Sequence, residues 1–158
     1  MATGDVWAFS DWARARRIAL GLTQGQAATL AGMSRPNYVA VETGRRAAGP
    51  ALHHKIATAL AARPGDILDR NRRQVVAAVE QRGYTAPRVF GSVARNQDDV
   101  ESDLDLLVGA GTAERDLLAV VALEGELERI LTVPVDVVVE PSDAASAAAL
   151  ARLGAKTL

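Results

Sequence analysis

Apolar residues recur at two different spacings along this chain, and the change between them separates a helical front half from a mixed rear half. In residues 11–20, Trp12, Ala15 and Ile18 recur every three residues, which places them near one face of a helix. The rear half instead contains short runs rich in valine and leucine, PRVFGS, DLDLLV and VPVDVVVE, which are typical of strands. We therefore predict an all-α segment followed by a segment that combines helices and strands.

Capping and turn residues divide the front half into several short helices. Thr23 and Ser34 are suited to begin helices, because their hydroxyl groups can accept hydrogen bonds from free backbone N–H groups. Gly32 and Gly44 are suited to end helices in the left-handed conformation. Pro36 is tolerated because the first turn of a helix has no acceptor for the N–H that proline lacks. These signals predict two short helices joined by a tight turn.

In the rear half, helices and strands alternate. Pro64 is expected to begin a brief helix, and a second helix with valines at helical spacing ends at Gly83. After it we predict a strand, a second strand, a long amphipathic helix over residues 113–131, a third strand, and an Ala-rich terminal helix that starts at residues 141–143.

The balance of charge also changes along the chain. Residues 1–70 carry nine Arg or Lys residues against five Asp or Glu residues, whereas residues 71–158 carry nine against fourteen. The net charge of −1 therefore conceals a basic front half, suited to phosphate backbones, and an acidic rear half, suited to metal ions. We predict an α+β protein of two domains, an all-α bundle over residues 1–69 and a small α/β domain over residues 70–158.

Acidic residues of the rear half have the spacing of a metal site. Asp103 and Asp105 fall on one face of the strand DLDLLV, because alternate side chains of a strand point to the same side. Asp136 lies inside another apolar run, where an unpaired charge is costly to bury. Ahead of them, the pair Gly91-Ser92 lets backbone N–H groups and a hydroxyl approach phosphate oxygens. This pattern predicts a site for divalent cations and a phosphorylated substrate.

The same residues resemble the signature of a known family. A Gly-Ser pair, ten intervening residues, Asp-x-Asp and a later strand Asp are similar to the signature of the minimal nucleotidyltransferases (MNT) of the polymerase-beta-like superfamily. Asn96 departs from it, since glycine is common at that position. The resemblance implies an α/β palm that binds two Mg²⁺ ions and uses ATP as substrate. It also implies catalytic, metal-binding residues Asp103, Asp105 and Asp136, and nucleotide-binding residues Gly91, Ser92 and Arg95.

The front half resembles a second family, the Cro/repressor-type (XRE-like) helix-turn-helix domains. The matching features are Thr23-Gln24 at the start of the first motif helix, the turn at Gly32, and Gly44-Arg45-Arg46 after the second helix. Gly25 departs from the pattern, since glutamate is common there. The resemblance implies that Arg35, Asn37 and Ala40 face base edges in the major groove. The implied DNA-contacting residues are Gln24, Ser34, Arg35, Asn37, Arg45 and Arg46.

The two resemblances together imply a function. Minimal nucleotidyltransferases that stand alone are similar to antitoxins of HEPN/MNT toxin-antitoxin pairs, which transfer AMP to a tyrosine of a HEPN-type ribonuclease toxin. We therefore expect a cytoplasmic, DNA-binding antitoxin, homodimeric on its operator, that silences its own operon and modifies the toxin. Two alternatives stay open: a regulator and toxin-binding module whose transferase pocket does not turn over, and a nucleotidyltransferase that acts on a small molecule.

Each group of residues also has a purely structural interpretation. The Gly-Ser pair and Asp-x-Asp could form a hairpin turn and an exposed strand face, and the front arginines could be ordinary solvated surface. His53 and His54 have no clustered carboxylate nearby in the sequence, which favours packing or surface roles. The absence of cysteine excludes disulfides and zinc-thiolate sites. No apolar run approaches the roughly 18 residues of a membrane span, and we expect no signal peptide.

Overall fold

The computed structural model describes residues 7–113, 116–141 and 154–158, and its backbone contacts group into two compact units. The front unit ends at Ala62 and the rear unit begins at Arg63. The predicted division between residues 69 and 70 therefore falls inside the first helix of the rear unit. Each unit has its own core and is described by itself.

Within the described residues, the front unit consists of four helices. They are α1 Phe9–Ala19, α2 Gln24–Leu30, α3 Arg35–Glu42 and α4 Pro50–Ala59. As predicted, Thr23 caps α2: its Oγ1 accepts from the Gln26 N–H at 3.2 Å, and its N–H donates to Gln26 Oε1 at 2.8 Å. Gly32 and Gly44 take positive φ angles of 56° and 69°, also as predicted. Ser34 has the backbone of an N-cap, but its side chain makes no capping hydrogen bond.

The core of the front unit is built largely from small side chains. Its buried members are Ala13, Ala27, Ala28, Ala31, Tyr38, Val41, Ile56 and Leu60. Four of these eight are alanines, so the helices approach one another closely and each contact buries little apolar area. Trp12 packs against this core. His53 meets the ring of Phe9 edge-on with centroids 4.0 Å apart, which confirms a packing role for this histidine.

A buried ion pair joins α1 to α3. Arg17 donates from Nη2 to Glu42 Oε1 at 2.6 Å and from Nε to Oε2 at 2.9 Å. Its Nη1 also donates to the carbonyl of Leu22 at 2.9 Å. The side chain of Glu42 is only 2% exposed, so its charge depends on this partner. Three hydrogen bonds from one guanidinium thus fix the second motif helix and the turn after α1.

We expect Glu42→Gln to cost about 3 kcal/mol of stability, because the charge of Arg17 then loses its partner while largely withdrawn from water. The double variant Arg17→Met/Glu42→Met should regain most of that loss, since no buried charge remains. Urea unfolding followed by tryptophan fluorescence measures both changes, because both tryptophans belong to the front half. A double variant as unstable as the single one would show that packing, rather than charge, sets the cost.

The rear unit is an α/β domain with one mixed sheet among its described residues. Its helices are α5 Pro64–Gln81, α6 Gly91–Ala94 and α7 Leu117–Leu131, and its strands are β1 Thr85–Val89, β2 Leu104–Gly109, β3 Val135–Val139 and β4 Lys156–Thr157. The strand order is β3-β2-β1-β4, with β2 and β3 parallel and the other pairs antiparallel. Helix α7 connects the parallel strands and packs against β3 and α5. The predicted small α/β palm is confirmed.

Three details of the rear unit differ from the prediction. Helix α5 is continuous over 18 residues, because no glycine or proline interrupts it after Gly65 and the buried Asn71 bonds within it, donating from Nδ2 to the Ile67 carbonyl at 2.8 Å. Helix α7 begins only after Asp116, which accepts from the Ala119 N–H at 2.6 Å. Strand β4 has no counterpart in the prediction.

The predicted Ala-rich helix falls on residues 142–153, outside the described residues. In the parts of the chain that are described, no helix is long and apolar enough to cross a membrane.

Candidate active site and DNA-contact surface

The parallel pairing of β2 and β3 brings two predicted carboxylates together. Asp105 and Asp136 are direct partners in the register of these strands, so their side chains leave the sheet on one face at neighbouring positions. Asp105 is half-buried and Asp136 is exposed. The residues that flank them along the two strands are buried: Leu104, Leu106, Val135 and Val137. The apolar burial of these neighbours therefore helps to hold the two like charges next to each other.

Asp103 completes the acidic group from just outside the sheet. It is exposed and precedes β2, which begins at Leu104 rather than at Asp103 as predicted. Burial raises the pKa of Asp105 above its ordinary value, the charges of Asp136 and Asp103 raise it further, and Arg95 opposes them. The four side chains thus belong to one electrostatic cluster.

Gly91 lies directly against the Asp105 carboxylate. A methyl group on its Cα would overlap Asp105 Oδ2 and come within 3.0 Å of Cγ. Its φ angle of 67° also favours glycine, because a side chain there meets the backbone. The Phe90 N–H donates to the Asp105 carbonyl at 3.0 Å, which holds the Gly-Ser segment beside β2. Glycine is therefore required at this position by both conformation and space.

The Gly-Ser pair opens the single helical turn α6. Ser92 is half-buried, and its carbonyl accepts from the N–H groups of Arg95 and Gln97 at 3.1 and 2.9 Å. Asn96 has a φ angle of 55°, a conformation that asparagine adopts more readily than most other residues with side chains. Asparagine is therefore compatible with the left-handed position that this turn requires.

Asp98, which the sequence did not single out, anchors the loop between α6 and β2. It is only 7% exposed, and its Oδ2 accepts from the Gly65 N–H in the first turn of α5 at 2.9 Å. The guanidinium of Arg63 lies 3.8 Å from Oδ1. A negative charge is favourable at a helix N-terminus. No sequence signal could have identified this residue, because its partner is 33 positions away.

The acidic cluster has the chemistry of a magnesium site. Mg²⁺ prefers carboxylate and phosphate oxygens, and a cation would relieve the repulsion that, after burial, raises the pKa of Asp105. Among the described residues, no three acidic or histidine side chains already surround a common point. The in-register pair Asp105 and Asp136 offers two carboxylates, and Mg²⁺ usually takes one or two and completes its shell with water and substrate phosphates.

On the front unit, three of the predicted DNA-contacting residues meet at one groove. The groove has a volume of about 480 Å³ and is lined by Gln24, Arg35, Pro36, Val39, Ala40 and Arg45. Ser34, Asn37 and Arg46 are exposed but do not line it. Val39 also lines the groove but was not among the predicted residues. Its position one helical turn after Arg35 places it on the same side of α3, which was a usable signal.

Comparison with known proteins identifies the family of the rear half. The family described as "Nucleotidyltransferase domain" matches residues 72–147, a range that contains all six predicted transferase residues. A Methanocaldococcus jannaschii protein named "Putative protein adenylyltransferase" is 38% identical over 66 residues, which cover 42% of this chain and 70% of that protein. The chain belongs to the nucleotidyltransferase family. No solved structure gives a significant match.

The nucleotidyltransferase also carries a DNA-binding module. The family described as "Helix-turn-helix domain" matches residues 8–70, which include the four helices of the front unit and the groove. The two matched ranges meet at residues 70 and 72, close to the division predicted from the sequence and several residues beyond the division between the compact units.

Replacing Asp105 by asparagine should stabilise the rear unit at neutral pH. The pKa of Asp105 is raised in the folded protein, so folded-state stability is lost as the pH rises through that pKa and the carboxylate becomes charged. Asparagine removes this cost, and because the carboxyl is only half-buried, solvent screening limits the gain to about 1 kcal/mol or less. Urea unfolding in EDTA, followed by circular dichroism, should show a higher free energy of unfolding for the variant at about pH 7. The difference should shrink towards about pH 4.

The matched control is Glu80→Gln, which removes one negative charge from an exposed position on α5 and should leave stability nearly unchanged. Lower stability of Asp105→Asn at neutral pH would mean that favourable contacts hold this carboxylate, and the repulsion described above would be wrong.

Proposed function

We propose that this nucleotidyltransferase is a DNA-binding antitoxin. It transfers AMP from ATP to a tyrosine hydroxyl of a cognate HEPN-type ribonuclease toxin and represses its own operon. The observation that carries the proposal is the in-register pair of Asp105 and Asp136 with Gly91 directly against it. The name of the Methanocaldococcus relative supports a protein as the acceptor, and the helix-turn-helix match supports operator binding.

ATP is bound through its triphosphate at the start of α6. Gly91 has no side chain to keep a phosphate away from the backbone, and the Ser92 hydroxyl follows it at once. Arg95, exposed at the end of α6, supplies a positive charge for the phosphate oxygens. Asp98 and Asn96 act indirectly, because they fix the course of the loop that joins this cradle to Asp103.

The transfer is an in-line displacement at the α-phosphorus of ATP. The acceptor oxygen forms the new bond to phosphorus, the bond to the departing pyrophosphate breaks, and the hydroxyl proton passes to a carboxylate or to water. Asp136 is the exposed member of the central pair, so we place it on the side from which the acceptor enters. When held by Asp103, Asp105, Asp136 and the triphosphate, two Mg²⁺ ions supply charge neutralisation at the entering and leaving oxygens.

Operator binding is assigned to the front unit. Arg35 faces base edges, while Gln24 and Arg45 are suited to phosphates, which fix the position of the domain on the duplex. Two copies bound to a palindrome would read half-sites about one helical turn apart. Because both operator DNA and ATP are cytoplasmic, we place the protein in the cytoplasm.

The direct test is a transfer assay with the protein encoded beside this one. Incubation with ATP and Mg²⁺ should add the mass of AMP to that partner, as measured by intact-protein mass spectrometry. Asp103→Asn/Asp105→Asn should reduce the rate by roughly 1,000-fold or more, because two of the three carboxylates assigned to the cations are neutralised. Binding to a duplex from its own promoter should be unchanged in the same variant.

The assay also separates the alternatives. Toxin binding and repression without any mass increase would identify a silent module and overturn the transferase part of the proposal. Transfer to a small molecule but not to the partner protein would overturn the antitoxin part. Joint loss of DNA binding and transfer in the double variant would indicate misfolding, which circular dichroism would detect.

Gly91→Ala should lower kcat by about 100-fold with little change in fold, because the added methyl displaces the Asp105 carboxylate that it would overlap. Gly154→Ala is the matched control. Gly154 has nearly the same φ angle, 66°, but none of the described residues lies within 4 Å of its added methyl, so it isolates backbone strain of about 1–2 kcal/mol. Equal loss of transfer in both variants would mean that strain, and not the contact with Asp105, disables the site.

A further inference from the structure

The face of α3 that points away from the core is mainly apolar. Tyr38, Val41 and Glu42 are buried, so the opposite side of the helix carries Pro36, Val39, Ala40 and Thr43, because residues three or four apart share a face. Three of these four have no hydrogen-bonding group in the side chain. The polar side chains of Gln24, Arg35 and Arg45 line the groove beside this strip.

The strip is not explained by packing within the front unit. The partly buried apolar side chains that pack against its core are Phe9, Trp12, Leu20, Leu22, Met33, Ala48, Leu52 and Ala59. Val39 is half-exposed and is absent from this set. Thr43 Oγ1 donates to the Val39 carbonyl at 2.7 Å and accepts from Arg45 Nε at 3.1 Å, so the strip and the flanking arginine are held in one arrangement.

We infer that Val39 and Ala40 read thymine methyl groups in the major groove, next to a guanine contacted by Arg35. The C5-methyl of thymine is the apolar feature that this groove presents, and apolar side chains recognise it by contact. A cytosine amino group placed against the same strip would lose its water without gaining a partner, which is unfavourable. This inference rests on the DNA-binding part of the proposed function and specifies which bases it selects.

The test begins with selection of binding duplexes from a randomised DNA library by the full chain. The enriched half-site should contain thymine beside guanine. Replacing each such thymine by uracil removes only the methyl and should weaken binding roughly fourfold per methyl group. Replacing a thymine pair by a cytosine pair should weaken it further, and 5-methylcytosine should regain roughly fourfold over cytosine.

A protein variant tests whether Val39 is responsible for the preference for thymine. Val39→Thr keeps the size and β-branching of the residue, so the fold is preserved, but it replaces a methyl with a hydroxyl. The variant should lose most of the preference for thymine over uracil at one position and keep it elsewhere. The matched control Val100→Thr changes an exposed valine of the rear unit and should retain the full preference.

Each outcome decides the inference. Equal binding of thymine and uracil duplexes, an enriched site without thymine beside guanine, or full preference in Val39→Thr would overturn it while leaving sequence-specific DNA binding intact. Absence of any enriched sequence would overturn both the inference and the operator-binding part of the proposed function. The transfer assay is independent of all these results.

Discussion

The rear unit depends on backbone pairing that holds two like charges side by side. In β2 and β3 the parallel register fixes Asp105 opposite Asp136. Burial raises the pKa of Asp105, and repulsion from Asp136 and Asp103 raises it further. Apolar burial opposes this repulsion. The alternate residues of both strands are buried, as are Leu123, Leu127 and Leu131 of α7. The hydrophobic core thus stabilises an arrangement of charges that is unfavourable alone and useful for holding cations and phosphates.

The ten residues between Ser92 and Asp103 form a segment whose conformation is fixed at several points. They include the end of α6, the left-handed Asn96, the anchored Asp98 and a turn in which Asp99 N–H donates to Ser102 Oγ at 2.9 Å. Each feature removes freedom from the loop before any ligand is present. The loop therefore fixes the position of the Gly-Ser pair relative to the carboxylates, and such preorganised groups lose less entropy when a ligand binds.

Much of the fold was predictable from local patterns in the sequence. Thr23, Gly32 and Gly44 act at helix ends as expected, because capping depends on residues a few positions apart. The alternation of side chains placed Asp105 and Asp136 on strands, but nothing local shows that these strands are neighbours or in register. The same limit hid Asp98 and the pairing of Arg17 with Glu42, whose partners are distant in the sequence. Strand β4, only two residues long, exists through its pairing with β1 and has no periodicity of its own.

In the proposed function, the two units recognise their ligands through different chemistry. In the rear unit, Asp103, Asp105, Asp136 and Arg95 form a charged cluster whose ligands must be charged as well. In the front unit, the charged side chains of Arg17 and Glu42 join α1 to α3, while the outward strip of α3 is mainly apolar. In the proposed DNA complex, the apolar strip discriminates by penalising polar groups left without partners, so its selectivity persists in salt, whereas the phosphate contact proposed for Arg45 weakens. On this proposal, thymine selection and the salt-dependent part of DNA affinity are set by different side chains and can change independently.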